Sequence, residues 1–491
     1  MMQGKIKKIN KMLINREISA VEIASKYLEY ISETDLQLNS YTELTHTNAM
    51  LAAKRVDDLT AAGEYLPLLA GIPMSVKDCI CTKDVSTTCA SKMLSGYKPI
   101  FDAFAVEQLN RYGSVMLGKT NMDEFAMGST CETSCYGPSK NPHNPNCVPG
   151  GSSGGAAASV SADMAVYALG SDTGGSVRQP ASFCGCVGLK PTYGAVSRFG
   201  LIAHASSFDQ IGVLAQNVED TAIAFDAINT YDFRDATCSN ITRASAYENL
   251  GKDIKGLKIG ILTDLYKGLN PEIDSCIKNA LKSYEKMGTE AVEISIDSIE
   301  LALPVYYILA CAEASSNLSR YDGVRYGYRT KGFSTVEEMI CKSRSEGLGT
   351  EVKRRIMLGN YVLSSGYFDA YYKKAQALRE IISKGFCRAF EKVDIIIAPT
   401  VASTAFKLRE FSDSPVDMYL TDMCTVIVNI CGLPAVSIPC GYDSSNMPIG
   451  MQIIGNKFSE SLILNAAYAF ENEKYKEIYL KPQIGGDCLG I

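Results

Sequence analysis

Apolar positions fall at helical spacing through residues 1–60, where Val21, Ala24, Tyr27 and Leu28 share one face. Ser19 and Glu22 stand three apart just before that face, which is the pattern of a capping box. The pattern then shortens. Residues 71–76 are a short apolar run of strand length that stops at Lys77 and Asp78. Asp102 is placed to cap a helix carrying Ala103, Val106 and Leu109, with Gly113 to end it, and residues 115–117 read as the next strand. Residues 138–155 are rich in Pro, Asn, Gly and Ser and predict a loop. A helix over 156–162, a strand over 166–169, a loop over 170–175 and a short helix from near Ser176 to Gly185 follow. Further strands are predicted at 257–262, 394–398, 435–439 and 451–454, with helical segments between them. Strands alternating with helices predict an α/β fold with a parallel or mixed sheet.

Length changes this picture little. At 491 residues the chain is long enough for several domains, or for one large α/β unit with a deep core. The expected organisation is a single large domain: an N-terminal helical region (1–60), a core (61–225), a helical insertion on the substrate side (265–385) and a C-terminal part of the sheet (386–480). The net charge of −6, from 48 basic and 54 acidic residues, argues against unaided binding of nucleic acid, since phosphate contacts need a clustered basic surface. No secretory apolar segment opens the chain, because Asn10, Asn15 and Arg16 interrupt it. The apolar run 426–439 contains Asn429, Gly432 and Pro434 and predicts two buried elements rather than a membrane span. A cytoplasmic location fits the seventeen cysteines, scattered and expected to be reduced. None forms a C-x2-C pair and histidines are scarce, so no metal site is expected.

Histidine scarcity also bears on the class of catalyst. Only His46, His143 and His204 are present, in a helical, a Pro/Asn-rich and an apolar context respectively. A Ser-His-Asp hydrolase needs one of them beside its nucleophile, with an acid to orient it. Two motif matches fail on context. The string from Gly113 to Lys119 and Thr120 fits a phosphate-binding loop, but its middle is an apolar strand where a loop is required. The string from Gly150 to Gly154 fits a nucleophile elbow, but no strand precedes it.

Two Gly/Ser segments remain: Pro149-Gly-Gly-Ser-Ser-Gly-Gly155 and Gly170-Ser-Asp-Thr-Gly-Gly-Ser176. Each puts small residues at the start of a helix, where free N–H groups favour developing negative charge. Lys77 stands at a strand end and can act as a base only if its ordinary pKa of about 10.4 is lowered. These features nominate Ser152, Ser153 and Ser176 as candidates but do not rank them.

At these residues the chain resembles the amidase signature family, enzymes with a Ser–cis-Ser–Lys triad on a mixed sheet flanked by helices. The resemblance implies a large mixed central sheet covered by helices on both faces. It implies Ser176 as nucleophile, Ser152 as bridging serine beside a cis peptide, and Lys77 as the terminal base. Backbone N–H groups of Thr173, Gly174, Gly175 and Ser176 would form the oxyanion hole. Strings such as Asn121-Met-Asp-Glu-Phe-Ala-Met-Gly-Ser129, Gly188-Leu-Lys-Pro-Thr-Tyr-Gly194 and Glu351-Val-Lys-Arg-Arg-Ile356 are similar to the glutaminase (A) subunits of tRNA-dependent amidotransferases. That resemblance covers roughly residues 5 to 480. It implies hydrolysis of L-glutamine through a glutamyl ester, with Tyr306, Arg355 and Asp422 binding the substrate; Arg354 is the other candidate for the carboxylate clamp. It implies a heterotrimer in which a B subunit uses ATP and Mg²⁺ to amidate Glu-tRNA(Gln) and a small C subunit joins the two. No cofactor would be bound by this chain. A stand-alone amidase acting on another small amide is the alternative. Cys79, Cys81 and Ala195 depart from the family's usual residues without falling on the triad.

Overall fold

The computed structural model describes residues 4–266, 269–411 and 414–491. Eleven strands form one mixed sheet: β1 (Tyr41–Leu44), β2 (Pro73–Lys77), β3 (Val115–Thr120), β4 (Tyr167–Asp172), β5 (Val187–Lys190), β6 (Gln210–Ala215), β7 (Lys258–Leu262), β8 (Glu290–Ile294), β9 (Ile395–Pro399), β10 (Ala435–Tyr442) and β11 (Pro448–Gly455). Their order is β1-β3-β2-β4-β6-β5-β10-β11-β9-β7-β8. Every residue of β2, β3, β4, β5, β6, β9 and β11 is buried, so both faces of the central sheet are covered. Among the described residues no helix is long and apolar enough to cross a membrane.

The N-terminal region is helical as its periodicity predicts, with helices Lys5–Ile14, Ala20–Leu38 and His46–Ala62. Ser19 and Glu22 make the capping box in both directions. The short strand β1 interrupts this region and pairs antiparallel with β3, a tertiary pairing that helical spacing does not reveal. Asp102 is not the cap expected of it. Its carboxylate accepts from the Lys83 N–H and the Asn110 amide, and the helix Phe104–Arg111 starts after Ala103. Residues 265–385 are mostly helical but also supply β8, which pairs parallel with β7 at the sheet edge. β5 and β6 have no separate sequence signal, since each is a short strand buried between neighbours.

The sheet centre positions the site. β2 and β4 are parallel neighbours, with Met74 opposite Tyr167 and Val76 opposite Leu169. Their carboxyl ends therefore lie side by side, bringing Lys77 next to Ser171 and Asp172. The helix Gly154–Ser161 packs against both strands and carries the first Gly/Ser segment at its start. The helix Arg178–Cys184 follows the second segment and ends at Gly185, whose φ of +68° suits a residue without Cβ.

Candidate active site

Lys77 is fully buried, and its ammonium nitrogen lies 2.7 Å from Ser152 Oγ, 2.8 Å from Ser153 Oγ and 2.9 Å from Ser171 Oγ. Ser153 Oγ donates to the Ser171 carbonyl (3.1 Å), so its proton is engaged and its lone pairs face the lysine. Burial lowers the Lys77 pKa, against the pull of Cys79, Asp123, Cys131 and Asp172 toward the charged form. A neutral amine here would take the Ser152 proton. The peptide Gly151–Ser152 is cis. The Ser153 N–H donates to the Ser176 carbonyl at 3.0 Å, which ties the two Gly/Ser segments together.

Ser176 lies where β4 gives way to the short helix and is buried, 8% exposed. Among the described residues no side-chain hydrogen bond reaches its hydroxyl, and none links it to Ser152. Such contacts commonly tighten only when substrate is bound. The loop between is held by Asp172, whose carboxylate accepts from the N–H groups of Gly175 (2.8 Å) and Val177 (3.1 Å). The Gly175 N–H is thus committed inside the loop and is not free for an oxyanion. The N–H groups of Thr173, Gly174 and Ser176 have no partner among the described residues. Gly175 has φ +132°, and a Cβ there would sit 2.2 Å from Thr425 Oγ1. Burial alone would raise the Asp172 carboxyl; the bidentate Arg178 guanidinium, with Lys190 and Asn429, outweighs it and holds the pKa at about 2.

Next to this loop lies a cluster of opposite charges. Arg355 is 2% exposed and donates through Nε to Glu351 Oε1 (2.9 Å), four residues earlier on the same helix. Its Cζ lies 5.2 Å from the Tyr307 ring centre and 5.4 Å from that of Tyr419. Arg354 pairs with the outer oxygen of Glu351 and stays 39% exposed, so it lies outside the cluster. Asp422 accepts from Ser129 Oγ (2.8 Å) and the Tyr307 hydroxyl (2.7 Å), and no basic group is within 4 Å among the described residues. Burial pushes its pKa up to about 6, although the Tyr307 and Ser129 hydrogen bonds and the Arg355 charge lower it. Tyr306 stands between cluster and loop: a Cβ on Gly174 would lie 2.6 Å from the Tyr306 hydroxyl. Thr425 donates to the Gly174 carbonyl (2.6 Å), and Gln179 joins Ser129 to Gly151 through its amide.

The structure therefore gathers Lys77, Ser152, Ser176, Tyr306, Arg355 and Asp422 into one region. Sequence reasoning did not single out Ser171, Ser129, Tyr307, Glu351 or Thr425 for the site, and it left Ser153 unranked. Glu351 alone carried a readable signal, an i,i+4 pairing with Arg355. Cys79, two residues after Lys77, does reach the site's surroundings, since its sulfur lies 3.5 Å from Oγ of Ser171, a partner of Lys77. Lys119 of the phosphate-loop-like string is buried and spends its charge on Ile80 O, Thr82 and Thr87. His46 is exposed, the His143 ring packs near Tyr442, and neither nitrogen of the buried His204 ring has a hydrogen-bond partner among the described residues.

A serine, a buried lysine and free N–H groups at the carboxyl ends of parallel strands define an amide-hydrolase type of site, and the chain belongs to the amidase family, whose model matches residues 22–464. Its relatives are more specific. It is 50% identical to the A subunit of glutamyl-tRNA(Gln) amidotransferase from Thermosynechococcus vestitus, over 95% of this chain and 97% of that one. It is 50% identical to the A subunit of the same name from Caldanaerobacter subterraneus, over 98% of each. The crystal structure of the Thermotoga maritima glutamyl-tRNA(Gln) amidotransferase A subunit superposes with a TM-score of 0.81 at 37% identity, over 99% of this chain and all of the other. A peptide amidase from Stenotrophomonas maltophilia superposes at 0.84 with 26% identity, over 98% of both chains.

Proposed function

We propose that this chain is the glutamine-hydrolysing subunit of a tRNA-dependent amidotransferase. The observation that carries this reading is the charge cluster beside Ser176. A buried Asp422 carboxylate with no cation within 4 Å of it among the described residues is costly unless a ligand supplies one. Arg355 commits one nitrogen to Glu351, and its other two make no hydrogen bond among the described residues, so a carboxylate can be gripped there. Together they suit the α-ammonium and α-carboxylate of L-glutamine, with the side-chain amide reaching toward the nucleophile.

In this mechanism Ser176 Oγ attacks the glutamine side-chain carbonyl while its proton passes through Ser152 to neutral Lys77. Charge on the carbonyl oxygen is met by the N–H groups of Thr173, Gly174 and Ser176. The tetrahedral species collapses to a glutamyl ester on Ser176, and the departing nitrogen takes the relay proton and leaves as ammonia. Water then attacks the ester by the reverse relay and releases glutamate. The partner B subunit, using ATP and Mg²⁺, would consume the ammonia to convert Glu-tRNA(Gln) to Gln-tRNA(Gln), with the C subunit joining the two. The names of the relatives support this assignment.

The test is glutamine-dependent against ammonia-dependent amidation by the reconstituted complex. S176A should abolish the first and keep the second. Equal hydrolysis of simple amides without partner subunits would instead favour a stand-alone amidase.

A further inference from the structure

Tyr307 stands at the junction of the two charges in the cluster. Its hydroxyl donates to Asp422 Oδ2 at 2.7 Å. One ring face lies 5.2 Å from the Arg355 Cζ. The ring also stacks on Tyr419 at a centroid distance of 4.2 Å and meets Tyr306 edge-on at 5.1 Å. Tyr419 in turn donates to Glu351 Oε1 at 2.7 Å, the oxygen that also receives Arg355 Nε. The chain Asp422–Tyr307–Tyr419–Glu351–Arg355 is thus continuous, and a rigid aromatic pair sets the spacing between acid and guanidinium.

We propose that Tyr307 is the positioning residue for selection of a free α-amino acid: it fixes the Asp422 carboxylate for the substrate ammonium and backs Arg355 for the carboxylate. The proposal rests on the glutamine reading above and adds to it the residue that couples its two ends. Two alternatives for the role are weaker. Ser129 also donates to Asp422, but among the described residues it makes no hydrogen bond to Arg355. Tyr306 touches the nucleophile loop through Gly174 and, among the described residues, makes no hydrogen bond to either charge.

The groups facing Asp422 are Tyr307 from the helix Ala302–Leu318, Ser129 from the loop after β3, and, at longer range, Arg355 and Asp123. Loss of the Tyr307 hydroxyl removes one of two hydroxyl donors to a buried anion. A hydrogen bond to a charge is worth about tenfold or more in a binding constant. The effect should fall on the part of recognition that needs the ammonium and spare the part that does not.

The experiment uses the full chain, with its partner subunits where turnover requires them. It compares L-glutamine with its analogue lacking the α-amino group, in wild type, Y307F, D422N and the double variant. Y307F keeps the ring and its stack, and it should lower the glutamine-to-analogue ratio of kcat/KM on the order of tenfold, mostly through KM. The double variant should show a ratio no lower than D422N alone, since both act through one carboxylate. A Y307F ratio equal to wild type, or losses that multiply in the double variant, would overturn the role of Tyr307. Equal wild-type turnover of glutamine and the analogue would overturn the glutamine reading itself. Should Y307F fold poorly, as read by its melting temperature, Y419F provides the second arm. That change removes one of the donors to Glu351, the partner of Arg355, and should raise KM for both substrates alike through Arg355, leaving the ratio as in wild type; a ratio that falls instead would separate selection from Tyr307.

Discussion

Two side chains carry opposite titration arguments. Lys77 is useful only when neutral, and burial moves its pKa downward. We predict that K77A lowers glutamine hydrolysis by roughly 10²–10⁴-fold, as for a lost acid–base group, measured by ammonia release; a rate within threefold of wild type would remove Lys77 from the relay. Asp422 must be charged to hold an ammonium, and its pKa is about 6. Below that value the free protein carries a neutral acid, so the Asp422 contribution to kcat/KM for L-glutamine should be lost as pH drops through about 6. Protonation of Lys77 also lowers the rate as pH falls, so the analogue without the amino group separates the two. Its profile retains the lysine contribution and lacks the Asp422 contribution. At this scale the sequence was readable only in part. Lys77, Ser152 and Ser176 stood out through strand end, glycine runs and resemblance. Ser153 was a candidate left unranked, and Ser171, which with it completes the lysine's shell, looks like an ordinary loop serine until β2 and β4 are set side by side.

The loop from Asp172 to Arg178 behaves as one element. Arg178 and Asp172 are both fully buried, and Arg178 also reaches Gln452, Thr425 and Asn429. Removing the guanidinium leaves a buried carboxylate without its partner, which costs about 3–5 kcal/mol. R178M is therefore expected to lower the denaturant midpoint sharply and to release the loop that Asp172 organises. Gly175 makes a separate prediction. Its positive φ and the Thr425 contact leave no room for a methyl group. G175A should destabilise by about 1–3 kcal/mol and abolish hydrolysis, read by melting temperature and by ammonia release. The glycine run was visible in the sequence, and so was the helix after it. That the Gly175 N–H turns inward to Asp172 was not, because a Gly-Gly pair fits an oxyanion loop whichever N–H faces out.

Across the whole molecule, one buried carboxylate cluster joins distant parts of the chain. Asp220 accepts the N–H groups of Lys5 and Ile6, Glu219 accepts that of Gly4, and Glu471 accepts from Val218 N–H and the Tyr479 hydroxyl. Burial raises the Glu471 pKa to about 8, with Asp220 and Glu219 adding to the rise. A carboxyl whose folded pKa lies above its unfolded value of about 4.3 stabilises fully below that value and loses the contribution as pH rises toward 8. E471Q should therefore gain stability relative to wild type as pH rises from 5 to 8. A thermal melt difference that does not grow over that range would show that Glu471 stays ionised in the folded chain.

The sequence by itself determined the local elements and the chemical cast. Periodicity and caps set the first helices, apolar runs set β2, β3 and β4, and the glycine-rich segments with Lys77 set the candidates for chemistry. These are properties of neighbours in the chain, where side-chain spacing and backbone freedom act directly. Tertiary structure alone decided the strand order, the place of β1 and β8 at the edges, and the choice of Arg355 over Arg354 for the buried cluster. It also decided which N–H groups stay free and that Tyr307 stands between Asp422 and Arg355. The reason is physical: burial, charge partnership and hydrogen-bond commitment depend on groups tens to hundreds of residues apart, and no local pattern records which of them will meet.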